Sequence, residues 1–435
     1  MITMSRTHPK RTQTNGRKAE DGPTPQPMDR LLFLLMLMLI GVGIVTVYDA
    51  SYALALEKGD SFHFVKRQAL CAVIGLGALL ITRRVPYWKW RGWAAVGLAL
   101  SVILLVAVFV PHVGSKINGA RRWIGHGQFQ PSELAKLMLV LYLARVLSTK
   151  PKKILSFGDG LLPPLIVIGV LAALIAKEPD MGTALVLGGT GLILLFLAGA
   201  RPRHMAGIFG LVAGVVALMV VLMPYRMHRV LAFLNPKADQ LQAGYQVWHA
   251  LIALGSGGVT GLGLGEGREK LYIPMASSDF IFPVIGEEWG LIGTLILVIV
   301  FTLIALRGFT IAYRTRDPFG ALLAAGITTL ISLQALVNMA VATSSIPDTG
   351  VPLPFISSGG SALVLMMAGV GLLLNISTYP DGPGAAGGYQ DEQPDPYEED
   401  WNRRWERGPA ANRLSSVPAR RRDIPPRRRA GGDWE

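Results

Sequence analysis

The polarity of the chain alternates over blocks of about 20 residues rather than with the short periods of a surface helix or strand. Residues 31–47 and 93–110 contain no charged side chain. A bilayer core needs about 20 apolar helical residues per crossing, because every backbone N–H must be satisfied inside its own segment. Blocks at 31–48, 64–82, 93–111, 133–148, 161–177, 182–200, 205–224, 284–306, 319–343 and 360–376 meet that need. The pattern predicts an all-α, polytopic membrane protein with about ten transmembrane helices. A soluble protein with very apolar core helices would not repeat so many blocks of near-membrane length. The fourth and fifth blocks are the least clean. Glu133 and Lys136 open one, and Pro163 and Pro164 open the other.

Orientation follows from lysine and arginine in the short loops, which favour the cytoplasmic side. Ten spans put the clusters around Arg83–Arg84, Lys150–Lys153, Arg201–Arg203 and Arg307–Arg316 on the same side as the basic N-terminus. Both termini are then cytoplasmic. The odd-numbered loops face outward, including a large one at about 225–283 between the seventh and eighth spans. The third loop keeps Lys116, Arg121 and Arg122 outside, against the sorting bias. Either they are solvated loop cations or they meet an anionic ligand.

Three regions result: a basic cytoplasmic segment at 1–30, a membrane domain at 31–377, and a tail at 378–435. The tail is acidic at 391–400 and arginine-rich beyond, with few apolar residues to fold around, so it reads as disordered. So near a membrane, its arginines suit anionic lipid or an acidic partner better than nucleic acid. Only 16% of the residues are charged, against 51% hydrophobic. No cleavable signal is expected ahead of the first span. Cys71 is the sole cysteine and the seven histidines are scattered, which excludes a disulfide framework or a cysteine-based zinc site.

The candidate chemistry lies in the outward segments. Asn118-Gly-Ala-Arg-Arg-Trp-Ile124 leads to Gln130-Pro-Ser-Glu-Leu-Ala-Lys136. Pro131, Ser132 and Glu133 suit a helix start. Lys136 lies one turn further in, where a lysine must be paired or functional; a Glu133–Lys136 pair that only holds the helix end is the alternative. Lys177-Glu178-Pro179-Asp180 is a short charged turn, explicable as a proline turn with a capping acid or as part of a site. The long loop holds Gln246, a glycine-rich stretch ending at Lys270, and Asp279. The glycines are no phosphate loop, since no GK[ST] follows and no strand precedes them. They suit a backbone that packs closely or moves. Asp279 precedes Phe280-Ile281-Phe282 and reads equally as a general base of raised proton affinity or as a helix N-cap. Pro352-Leu-Pro-Phe-Ile-Ser-Ser-Gly-Gly-Ser361 breaks a helix, and broken helices at membrane depth normally line cavities.

Taken in order from about residue 30 to 377, the segments 118–124, 130–136, 178–184, 244–246, 255–265, 279–290 and 352–361 resemble the SEDS family (shape, elongation, division and sporulation). Tyr48-Asp-Ala-Ser51, Val65-Lys-Arg-Gln68 and the long charged tail are more similar to its FtsW branch than to its RodA branch. The resemblance implies a ten-helix peptidoglycan glycosyltransferase of the bacterial cytoplasmic membrane, polymerising lipid II on the outer face. It would work with a class B penicillin-binding protein, a transpeptidase, and with other division or elongation proteins, not with nucleic acid. The family's essential aspartate falls on Asp279. Its usual His-Thr-Asp is Ser277-Ser278-Asp279 here, and its usual Ser-Tyr-Gly-Gly-Ser is Ser357-Ser358-Gly359-Gly360-Ser361.

Within that implication, Asp279 is the base for the acceptor sugar's 4-hydroxyl. Arg122 and Lys136 are candidates for the departing undecaprenyl pyrophosphate. Gln130, Ser132, Glu133, Lys177, Glu178, Gln246, Lys270, Ser357 and Ser361 complete the candidate substrate-binding set. A divalent cation, Mg or Mn, rests on the resemblance alone, and no metal ligands are identified. Two rival readings stand beside it. One is a flippase for lipid-linked sugars, which should need polar groups reachable from both sides. The other is a non-catalytic scaffold recruiting a division partner through the tail.

Overall fold

The computed structural model describes residues 25–382 except 58, 118–119, 126–127, 150, 235–236 and 238–243, all within one compact unit, Glu20–Pro383. The arginine-rich tail from 383, the N-terminal segment before 25, and Asn118 with Gly119 therefore lie outside the described residues. A helix stands at every predicted block: α1 (Arg30–Glu57), α2 (His63–Arg84), α3 (Tyr87–Ala107), α4 (Pro131–Thr149), α5 (Leu162–Lys177), α6 (Met181–Leu197), α7 (Pro202–Leu222), α10 (Ile281–Arg314), α11 (Pro318–Ala342) and α12 (Gly360–Thr378). Among the described residues, eight helices are long and apolar enough to cross a membrane. The other two are α4, which carries Glu133, Lys136 and Arg145, and the shorter apolar α6. The chain is an all-α polytopic membrane protein.

Two departures from the predicted outline matter for the site. The third loop is not irregular but a hairpin of β1 (Gly114–Ile117) and β2 (Ala120–Ile124). Asn118-Gly119 between them is the sequence pair that favours a two-residue hairpin turn. The large loop also carries two helices of its own, α8 (Pro224–Leu234) and α9 (Tyr245–Ser256).

Packing sorts the helices by what they carry. α4, α11 and α12 hold the interior, with Lys136, Gln334, Asn338 and Asn375 almost wholly buried among leucines and alanines. α12 runs along α2 so closely that a Cβ on Gly371 would fall 2.5 Å from the Leu79 carbonyl. α7 is the opposite case: it buries Met205 and Ile208 and exposes Phe209, Leu211, Leu218, Val221 and Leu222. In water that surface would be a liability; against lipid tails it costs nothing. The two ends of the unit meet on one side. Gln26 N–H donates to Thr378 O at 2.8 Å, and Asp29 pairs with Arg307 at 2.6 Å.

α10 is broken near its start. Gly290 takes φ 65° and ψ −162°, so the helix stops and resumes. The glycine-rich stretch docks into the gap: Leu262 and Gly263 donate to the carbonyls of Glu287 and Glu288, while Leu291 and Ile292 donate to those of Gly258 and Val259. A Cβ on Gly290 would clash with Gly261 N. Glycine is required there for both its positive φ and the close approach.

Candidate active site

Asp279 lies on the turn leading into α10, and it does not cap that helix. The residue at the cap is Phe280, and no side chain bonds the first turn. Of the two readings open from sequence, the cap is thus removed. What fixes Asp279 is its backbone. Asn338 Nδ2 on α11 donates to Asp279 O at 2.8 Å and to Val351 O at 2.7 Å. Ser357 Oγ donates to Ser278 O at 2.6 Å, and Ser358 N–H donates to Ser277 O at 2.8 Å. Ser357 is therefore a brace between the broken segment and the 277–279 turn. The side chain of Asp279 is left with one described bond, from Ser278 Oγ to Oδ1 at 2.9 Å. Burial pushes its carboxyl up to about 6, with Asp348 and Asp180 adding to the rise and Ser278 and Arg122 opposing it.

Arg122 reaches this neighbourhood from β2. The register pairs Ser115 with Trp123 and Lys116 with Arg121, so Arg122 is the extra residue of a β-bulge. Bulges re-aim a side chain, and here the guanidinium comes within 3.6 Å of Asp180 Oδ2. The pairing is loose, and Arg122 Nε has no partner. Asp180 is better held. Its Oδ1 caps α6 by accepting from Thr183 N–H at 3.1 Å, and its Oδ2 accepts from Gln130 Nε2 at 3.0 Å. Gln130 N–H in turn donates to Ser361 Oγ at 3.3 Å. The turn around Asp180, the start of α4 and the start of α12 are thereby stitched together. Glu178, beside them, is wholly buried with neither oxygen partnered. Ser132 Oγ, Glu133 Oε2, Asn338 Oδ1 and Thr349 Oγ1 are likewise buried and unpartnered.

Other candidates fall elsewhere. Lys136 is inside the bundle, 2.9 Å from Glu133 and 2.6 Å from Gln334 Oε1, and Gln334 Nε2 donates to Pro352 O at 3.0 Å. With its side chain 1% exposed, it makes the Glu133–Lys136 pair that the sequence offered as an alternative, and through Gln334 it ties α4 to α11 and to the broken segment. Lys270 is 2.6 Å from Asp49, 2.7 Å from Glu288 and 3.0 Å from Gly265 O, which uses all the donors of an ammonium. Burial would lower its pKa, but Asp49 and Glu288 outweigh that and raise it. Lys177 is exposed, with Nζ 5.3 Å from the centre of the Phe109 ring. Gln246 sits half-buried on α9 and takes part in none of these bonds.

Three groups that sequence reasoning passed over belong to this framework: Gln334, Asn338 and Asp49. Gln334 and Asn338 stand four residues apart in an otherwise apolar span, so they share one helix face; that spacing was the available signal. As for a metal, among the described residues no three His, Cys, Asp or Glu side chains converge on one point. None of the described residues therefore builds a protein cage for a divalent cation.

The model of the cell cycle protein family FtsW/RodA/SpoVE matches residues 29–381. The chain belongs to the FtsW/RodA/SpoVE family. One relative, the probable peptidoglycan glycosyltransferase FtsW of Geobacter metallireducens, is 42% identical over 354 residues, covering 80% of this chain and 94% of its own. Stage V sporulation protein E of Bacillus subtilis is 43% identical over 357 residues, with 81% and 97% covered. Among solved structures, a chain from a peptidoglycan synthase complex that coordinates polymerization and crosslinking superposes with TM-score 0.69 at 31% identity, covering 81% of this chain and 99% of that one. The rod shape determining protein RodA of Thermus thermophilus superposes with TM-score 0.61 at 28% identity, covering 81% and 98%. The family membership makes this a multi-pass protein of the inner membrane.

Proposed function

We propose that the chain is a peptidoglycan glycosyltransferase of the FtsW type, polymerising lipid II at the outer face of the inner membrane during cell division. The observation that carries the reading is Asp279: a carboxylate fixed through its backbone by α11 and the broken segment, spared any capping duty, with its proton affinity raised toward neutrality. A general base works best with a pKa near the operating pH. The acceptor sugar's 4-hydroxyl would give its proton to Asp279. The oxygen forms a bond to the donor's anomeric carbon as the bond from that carbon to the pyrophosphate breaks. The pyrophosphate leaves with its lipid, and Asp279 returns the proton to water.

Arg122 is the residue we assign to the leaving pyrophosphate, because it is aimed by the bulge and its Nε is unspent. Lys136 and Lys270 are assigned to the scaffold. A divalent cation, Mg or Mn, would have to take most of its ligands from the pyrophosphate oxygens. The ten-span topology with both termini in the cytoplasm belongs to the same proposal. So does a transpeptidase partner, by analogy with the synthase complex that couples polymerization to crosslinking.

Polymerisation of lipid II by the purified protein with its transpeptidase tests the reading. Asp279→Asn should lower it by about 10²–10⁴-fold, the usual weight of a general base. Near-parental synthesis would remove Asp279 as base. A protein that moves lipid II across proteoliposomes but never polymerises it would be a flippase. The topology is tested separately. Cysteines at 265 and 350 should react with an impermeant thiol reagent from outside, and cysteines at 150 and 315 should not.

A further inference from the structure

Glu178 joins α5 to α6 with no solvent contact and no hydrogen-bond partner on either carboxyl oxygen. Other buried acids of this unit are compensated. Glu133 has Lys136, Glu288 has Lys270, and Glu287 accepts from the N–H groups of Arg268 and Glu269. The charged groups facing Glu178 are Asp180, two residues on, and Arg122 from β2. Neighbouring Lys177 is turned to the Phe109 ring. Arg122 already leans on Asp180 at 3.6 Å, so it has not committed itself to Glu178. A bare carboxylate in this position is heavily penalised, whereas the neutral acid is only an unpaired polar group.

We propose that Glu178 is held as a neutral carboxylic acid, and that its neutrality keeps the Arg122 guanidinium available to the pyrophosphate of the lipid-linked donor. Glu178 is thus a positioning residue that acts through Arg122. The inference rests on the glycosyltransferase reading, since that reading supplies the pyrophosphate. If Glu178 ionised, Arg122 would face two carboxylates, and a negative charge would stand beside an anionic ligand. Burial and Asp180 push the Glu178 carboxyl up to about 8, against the pull of Arg122. Asp279, which feels the same Arg122 and Asp180 and also Asp348, loses its proton earlier, near 6. The working form has Asp279 ionised and Glu178 neutral, which confines activity to a window between the two.

The test is the alkaline limb of polymerisation. From pH 7 to pH 9 the neutral fraction of a group titrating near 8 falls about tenfold, and turnover of the unmutated protein at low lipid II should fall with it. In Glu178→Gln, which cannot ionise, that decline should shrink to about twofold or less. An alkaline limb of the same depth in both proteins would overturn the proposal. So would loss of activity in folded Glu178→Gln at every pH, because it would assign the carboxyl a role its neutrality does not explain. Should that variant fail to assemble, lipid II binding by the unmutated protein decides: affinity weakening about tenfold over the same range supports the proposal, and flat affinity refutes it. An unmutated protein that never polymerises at any pH would sink the glycosyltransferase reading, while its binding curve would still judge Glu178.

Discussion

Two charge clusters flank the broken start of α10, and they are built on opposite principles. At the break, Lys270, Asp49, Glu288 and Glu287 form a nearly closed network. The lysine spends every donor, and Glu287 accepts from two backbone N–H groups. Around the turn before the helix, Asp279, Glu178 and Arg122, from three different segments, leave carboxyl oxygens and a guanidinium N–H unpaired beside a well-held Asp180. A satisfied buried network rigidifies a fold, whereas unsatisfied groups in a folded protein call for an explanation. Under the proposed function, the difference separates scaffold from chemistry. The closed cluster locks the glycine-rich loop into α10, and the open one is left with capacity for a ligand.

Breaking the closed cluster should cost stability. Lys270→Met leaves buried Glu288 and half-buried Asp49 without compensation, a loss of about 3 kcal/mol. Thermal unfolding in detergent should show a lowered midpoint, and the surviving folded molecules should still turn over. Gly290→Ala attacks the same joint through the backbone. The positive φ alone is worth about 1–3 kcal/mol, and the new Cβ meets Gly261. Its midpoint should fall as well.

Opening the other cluster further should cost turnover instead. Arg122→Ala removes charge-assisted hydrogen bonds to the pyrophosphate, worth about 1.5–3 kcal/mol, so kcat/KM should drop roughly ten- to a hundredfold. A larger loss of midpoint than of turnover would place Arg122 in the scaffold. The acid limb is a milder probe. Asp279 must be ionised to act as a base, and burial pushes its carboxyl up to about 6, so activity should rise about tenfold per pH unit below 6 and level off from there until the alkaline decline tied to Glu178. Smallest of all, deleting 391–435 should leave turnover of the purified protein unaltered.

Much of this was legible in the sequence, because hydropathy acts locally. Each block of apolar residues must become a helix in lipid, and a helix stands at each of the ten. The motif order also pointed to the family. What stayed hidden depends on contacts between distant segments. Whether Asp279 caps α10 could not be known until Phe280 took the cap. Lys136 and Lys270 both stood in the candidate substrate-binding set; the Glu133–Lys136 pair was legible at three residues, but their further partners Gln334 and Asp49 are 198 and 221 residues away in the chain. The bulge that aims Arg122 depends on a register shift between Ser115 and Lys116. Asn118-Gly119 was an available hairpin signal that sequence reasoning passed over, and nothing in the sequence marks that shift.

The central claim is that the open cluster performs the chemistry and the closed one holds the fold. One paired series on purified protein with its transpeptidase tests it most directly: glycan polymerised per folded molecule, beside thermal midpoint, for Asp279→Asn and Lys270→Met. For Asp279→Asn the account predicts turnover lowered about 10²–10⁴-fold. Its midpoint at pH 7.5 should be no lower than the parent's, since the amide avoids the cost of ionising a desolvated carboxyl whose pKa is pushed up to about 6. For Lys270→Met it predicts the reverse, a fallen midpoint with turnover per folded molecule retained. An Asp279→Asn protein that polymerises normally, or a Lys270→Met protein that is stable but inert, would contradict it.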